Sequence, residues 1–171
     1  DALAAARHSL YLLPEAVLGV LVVGRQGEGL NFAWAAGRVT VSTSLEDTSF
    51  IAEFSPDIIV DGLFGFSFKP PPRVEYLSLL EALRASAVKT ISIDLPSGWA
   101  ADGEGEGPAP AANISLATLK QCMKGHTGTH YYCTYFVPES VYEELRLARP
   151  RGSADCGLFS FTAGRGEAIK S

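Results

Sequence analysis

The chain has 171 residues, a size at which a single domain buries a continuous core without disulfides or metals as staples. A hydrophobic content of 47% with 19% charged residues is that of a globular protein, and no apolar run is long enough for a membrane-spanning helix. The formal net charge of -5 argues against a nucleic-acid partner, because affinity for phosphate backbones comes from a basic surface.

Asp1 stands in place of a methionine, which suggests a chain that begins inside a longer gene product. Ala2 to Leu13 is rich in Ala and Leu and free of Gly and Pro, and Asp1 sits where an N-cap carboxylate would accept amide hydrogens, so a helix is predicted up to Pro14. Ala16 to Val23 is an almost unbroken apolar run, the pattern of a strand covered on both faces in a parallel sheet. A helix over Glu28 to Ala36, a brief edge strand at Val39 to Ser42 and a helix over Leu45 to Phe54 follow. The run Asp57 to Phe64 reads as another buried strand, with one acid, Asp61, near its carboxyl end. Tyr76, Leu79, Leu80, Leu83 and Ala87 share one face of an amphipathic helix.

Thr90 to Asp94 reads as a strand that Leu95-Pro-Ser-Gly98 cannot continue. Asp102 to Pro110 is acidic, glycine-rich and proline-bounded, a composition that resists packing, and reads as a mobile loop that serves as cover rather than chemistry. Ile114 to Leu116 and Tyr131 to Val137 are further strands, and Glu139 to Leu147 is a closing helix. Residues 1–148 form the expected domain and 149–171 a tail, ordered through Leu158, Phe159 and Phe161. Strands alternating with helices predict the α/β class, as a three-layer α/β/α sandwich with a largely parallel, Rossmann-like sheet whose ligands gather beyond the strand carboxyl ends.

Two constellations lie at those ends: Asp61 with Gly65-Phe-Ser-Phe-Lys69, and Asp94 with Leu95-Pro-Ser-Gly98. Carboxylates beside a serine hydroxyl are hard oxygen donors, suited to an alkali or alkaline-earth cation better than to zinc. Either acid alone reads more simply as a loop cap that accepts amide hydrogens; the pair, both entering glycine loops at one rim, favours a site. Ser97 lacks the G-x-S-x-G elbow of a nucleophile and reads as a turn residue. His126 and His130 flank Gly128 and read as part of a turn, which argues against zinc. Cys122, Cys133 and Cys156 make no CxxC pair and cannot all pair internally, which favours a reducing compartment and thiols that serve as small apolar residues.

The two runs Asp57-Ile-Ile-Val-Asp61-Gly-Leu-Phe-Gly65-Phe-Ser-Phe-Lys69 and Ile91-Ser-Ile-Asp94-Leu-Pro-Ser97-Gly-Trp99 resemble the YjeF N-terminal domain, that is, the NAD(P)H-hydrate epimerase family, called apolipoprotein A-I-binding protein in animals. The likeness continues through Ile114-Ser-Leu-Ala-Thr-Leu-Lys120, Thr127-Gly128 and Phe136-Val-Pro138, and more weakly in Asp1 to His8. The resemblance implies an isomerase of metabolite repair that interconverts the R and S epimers of hydrated NADH and NADPH and binds potassium. By position, Asp61 and Ser97 would be the metal ligands. Asp1, Gly65, Phe66, Ser67, Phe68, Lys69, Pro70 and Pro71 would line the dinucleotide site, and Asp94 would contact the hydrated nicotinamide as the catalytic residue. It further implies a homodimer, a separate dehydratase that consumes the product, and a cytoplasmic or mitochondrial setting.

Inverting a hemiaminal carbon requires the hydroxyl to leave and return, or the ring to open and reclose, and Asp94 suits the group that gives and takes the proton. Lys69-Pro70-Pro71-Pro72 departs from the family pattern, because it removes amide donors that would meet phosphate. Lys69, Arg73 and Lys120 read either as offsets to a pyrophosphate charge or as solvated surface cations. The rival readings are a non-catalytic module for dimerisation or partner binding, as this domain type serves in mRNA-decapping scaffolds, and an α/β domain for another nucleotide or sugar phosphate.

Overall fold

The computed structural model describes residues 2–23, 37–44, 48–103, 105–133 and 137–147, and the backbone of 158–162. The predicted helix Glu28 to Ala36, the Asp1 cap and residues 45–47 and 134–136 of two predicted elements lie outside them.

The Ala- and Leu-rich start forms helix α1 (Ala2–Leu12), which buries Leu10. Its carbonyl end is closed by Arg38, whose guanidinium donates to Pro14 O at 2.5 Å and to Leu10 O at 3.4 Å. Strand β1 (Leu18–Leu21) pairs in parallel with β2 (Val39–Ser42). Helix α2 (Ser49–Phe54) packs directly on β1. The apolar run of β1 carries Gly19 for that reason: a Cβ there would stand 3.0 Å from the Phe54 ring.

A second sheet follows the order β3-β4-β5-β6-β7. Strands β3 (Ile58–Asp61), β4 (Lys89–Ile93), β5 (Ala112–Leu116) and β6 (Thr129–Cys133) are parallel, in a register that sets Asp61 beside Ser92 and Ile93 beside Ile114. Parallel pairing points every carboxyl end to the same rim, which is what brings Asp61 and Asp94 together. Strand β7 (Leu158–Thr162), within the stretch read as a tail, runs antiparallel to β6.

Helix α3 (Leu77–Ala85), entered through a 3-10 turn at Val74–Tyr76, buries Leu79, Leu80 and Leu83, as the spacing predicts. Ala87 is not on its face: the helix ends at Ala85, and Ser86 turns extended with its hydroxyl accepting from the Val88 amide. Helix α4 (Glu139–Glu144) is shorter than expected, closing in a turn with Arg146 at φ 52°. The architecture is the expected α/β one of parallel sheets with flanking helices. β3 is less buried than its sequence suggests: Ile58 and Val60, which share one face of the strand, are half exposed, whereas Asp61 on the other face is buried.

The described residues of the loop Asp102 to Pro110 cover the turn after β4, as expected, but they pack closely where the composition suggests a mobile chain. Cβ atoms at Gly105 and Gly107 would collide with the Gly98, Trp99 and Ser97 backbone, so these glycines are where the loop lies flat against the turn after β4. Beneath that contact sits a core of Leu95, Cys122 and Met123 with Trp99 and Ala101 packed on it.

Candidate active site at the carboxyl rim of the sheet

Asp61 closes β3 and is 3% exposed. Its Oδ1 accepts from the Ser97 hydroxyl at 2.5 Å and the Leu63 amide at 3.3 Å, and its Oδ2 accepts from the Ser97 amide at 2.8 Å and the Ser92 hydroxyl at 3.1 Å. The Ser97 hydroxyl in turn accepts from the Phe64 amide at 3.0 Å. Ser97 reaches this position because Pro96 to Trp99 is a tight turn, closed by Trp99 N–H to Pro96 O at 3.0 Å, whose third residue, Gly98, has φ 90°. That geometry is a type II turn, which requires a residue tolerant of positive φ there. The loops after β3 and β4 are thus tied through one carboxylate.

Buried charges are ordinarily paired or bound to a metal. Asp61 has no ion-pair partner among the described residues. Its oxygens are met instead by four neutral donors, and the carboxylate and hydroxyl in contact are of the hard-oxygen class, a ligand chemistry that suits a monovalent cation. Among the described residues no group of three or more His, Cys, Asp or Glu side chains is placed to hold a metal.

Asp94 follows β4 with φ 71°, a left-handed conformation uncommon outside glycine. Leu95 N–H donates to Ile93 O at 3.0 Å across it, which makes a γ-turn of the rare, strained hand. Two further bonds hold that backbone, Asp94 N–H to Ile114 O at 2.8 Å and Asn113 Nδ2 to Asp94 O at 3.3 Å. The side chain, 13% exposed, accepts from the Phe66 amide at 2.8 Å through Oδ2 and from the Lys120 ammonium through Oδ1. Gly65 lies against it, since a Cβ there would be 3.2 Å from Oδ2.

Of the residues expected at the dinucleotide site, Gly65 and Phe66 are therefore in contact with Asp94, and the Phe66 side chain is exposed. Phe68 turns its ring onto Phe64, 4.6 Å between centroids, and Phe64 meets Tyr76 edge-on. Ser67, Lys69, Pro70 and Pro71 are exposed further along the loop, and Asp1 lies outside the described residues. Arg73 is an exposed cation 3.7 Å from Glu75. Lys120 is neither solvated nor free: its side chain is 7% exposed and pairs with Asp94. The sequence held one signal for it, its place a few residues beyond the carboxyl end of β5. His126 and His130 are engaged with backbone, their Nε2 atoms 2.8 Å from Pro110 O and 3.1 Å from His126 O. Burial, the largest cause, pushes the Cys122 thiol up, and Asp94 and Asp102 add to this against its own backbone hydrogen bond and Lys120. It stays a neutral, apolar neighbour of the pair, as the sequence suggests.

Residues 21–122 match the model of the YjeF-related protein N-terminus. The chain belongs to this family. Both motif runs fall within the matched span. Proteins named NAD(P)H-hydrate epimerase are similar to it: one from Caenorhabditis briggsae is 46% identical over 101 residues, 54% of this chain and 42% of the relative. One from Caenorhabditis elegans is 43% identical over 102 residues, 55% and 43% of the two chains, and one from Anopheles darlingi is 40% identical over 120 residues, 66% and 50%. The chain thus spans half or less of the length of these curated relatives. The crystal structure of the yeast protein ynu0 shares the fold, with a TM-score of 0.75 at 23% identity over 93% of this chain and 71% of the yeast one.

Proposed function

We propose that the protein is an NAD(P)H-hydrate epimerase, an isomerase that interconverts the R and S epimers of hydrated NADH and NADPH, with Asp94 as its catalytic residue. The observation that carries this reading is the Asp94 carboxylate itself, held in strained backbone at the sheet rim with one oxygen on a loop amide and the other on a buried lysine. Strain of this kind costs on the order of 1–3 kcal/mol and persists where the surroundings over-determine it, commonly at functional sites. The names of the relatives in nematodes and a mosquito support the same activity.

The chemistry needs one group that accepts and returns a proton. The Asp94 carboxylate takes the proton of the hydroxyl on the hydrated carbon, the ring C–N bond opens, and the electron pair remains on the ring nitrogen, delocalised into the double bond bearing the carboxamide. Rotation presents the other face of the new carbonyl, the nitrogen closes on it, and Asp94 returns the proton to the oxygen. Phe66 N–H orients the base, and the loop from Gly65 to Pro71 would form the wall on which the dinucleotide lies. Asp61 and Ser97 would hold potassium, which supplies the charge that neutralises the buried carboxylate and ties the two loops. A homodimer and a separate dehydratase acting on one epimer complete the proposal.

The run Lys69-Pro70-Pro71-Pro72, exposed from Lys69 to Pro71, favours a second reading, a non-catalytic binding module, because proline offers no amide to a phosphate. One assay separates the two. A single purified epimer of hydrated NADPH, incubated with full-length protein, is expected to equilibrate faster than it does spontaneously, and faster in potassium than in tetramethylammonium chloride. Exchange at the spontaneous rate, followed by chromatography, rejects the enzyme and promotes the module.

A further inference from the structure

We infer that Lys120 is the positioning residue that sets Asp94 for proton transfer, an inference that rests on the epimerase reading. Lysine is almost never fully buried without a partner. Here the ammonium donates both to Asp94 Oδ1 and, at 2.7 Å, to Leu116 O, the last carbonyl of β5. The Phe66 amide holds Oδ2 from the β3 side. The carboxylate is clamped from two strands, its plane is fixed, and Oδ2, the oxygen bound only by a neutral donor, is left to receive the substrate's proton.

The backbone that delivers Lys120 is built in the same way as the backbone that delivers Asp94. Ala117 has φ 65°, and Thr118 N–H donates to Leu116 O at 2.8 Å across it, a second γ-turn of the strained hand on the neighbouring strand. Ala117 N–H is fixed on Cys133 O at 2.9 Å. Alanine has no side-chain group to ease a left-handed conformation as Asp or Asn does, so the turn is retained at a cost. It reverses the chain after β5, and the lysine a few residues on returns to the strand's last carbonyl and to Asp94. Two adjacent strands each end in a strained turn, and the side chains they deliver meet each other.

The test is steady-state epimer exchange in full-length wild type, Lys120→Met and Lys120→Ala, with kcat and KM resolved and folding followed by circular dichroism. A carboxylate displaced by about 1 Å loses on the order of 10²-fold in rate. Lys120→Met is therefore expected to lose about 100-fold in kcat with KM changed less than about 3-fold, the signature of an interaction used in the transition state. Methylammonium added to Lys120→Ala is expected to restore part of kcat. A Lys120→Met kcat within twofold of wild type, or a raised KM at unchanged kcat, overturns the inference while leaving the epimerase standing. If the variants do not fold unaided, Lys120→Ala is measured with methylammonium present, and recovered folding without recovered exchange marks a structural lysine and overturns it equally. A wild type that does not exceed spontaneous exchange sinks the epimerase reading and this inference with it.

Discussion

Asp94→Asn is expected to leave a folded protein whose kcat for epimer exchange is lower by about 10³-fold, within the range for loss of a general acid–base group. Asparagine is the substitution that isolates the chemistry. It matches aspartate in volume, and it is the other residue that enters the left-handed region readily, so the γ-turn at φ 71° survives. Its amide oxygen still accepts from Lys120 or from the Phe66 amide, but not from both, and it accepts no proton from substrate. Weakening the pair with a lysine 7% exposed costs roughly 1–3 kcal/mol of stability. Asp94→Ala would lose the same activity and add backbone strain, which makes it the less informative variant. Exchange and melting temperature measured on the same preparation separate the two effects, and wild-type kcat in a folded Asp94→Asn protein rules out the proposed base.

The second large effect is on the fold. Asp61→Ala is expected to lower stability by about 3–5 kcal/mol, because one truncation strands the Ser92 hydroxyl, both Ser97 donors and the Leu63 amide in a site that is 3% exposed. For a domain of this length such a loss lowers the melting temperature by on the order of 10 °C. Activity falls with it, since the turn at Ser97 and the strand end at Asp94 share one short segment. The proposed potassium adds a sharper readout: it is expected to raise the melting temperature of wild type and of Lys120→Met, and to leave Asp61→Asn unmoved. A loss under 0.5 kcal/mol by urea denaturation would show that Asp61 ties nothing together.

Both acids were legible in the sequence because each breaks a pattern. Asp61 and Asp94 end apolar runs of strand period just ahead of glycine loops, and only a parallel sheet puts two such ends on one rim. The pairing of Lys120 with Asp94 was not legible. The two are 26 residues apart, and the turn that aims the lysine depends on positive φ at an alanine, which no propensity foretells. The glycines of the loop Asp102 to Pro110 misled for a related reason, since glycine marks both a chain free to move and a chain pressed against another backbone. Composition cannot tell these apart, whereas a Cβ built at Gly107 can. The exposed Ile58 and Val60 show the same limit, because an apolar run specifies a strand that seeks cover without specifying which element supplies it.

The proposed chemistry requires the hydrated carbon to sit against Asp94, and a crystal structure of the full-length Asp94→Asn protein with hydrated NADPH bound measures that directly. The hydroxyl of the hydrated ring is predicted to lie within about 2.6–3.2 Å of the residue 94 side chain, with the dinucleotide along the Gly65 to Pro71 loop. A nicotinamide ring seated elsewhere, with residue 94 closed on Lys120 and no ligand atom within reach, would contradict it.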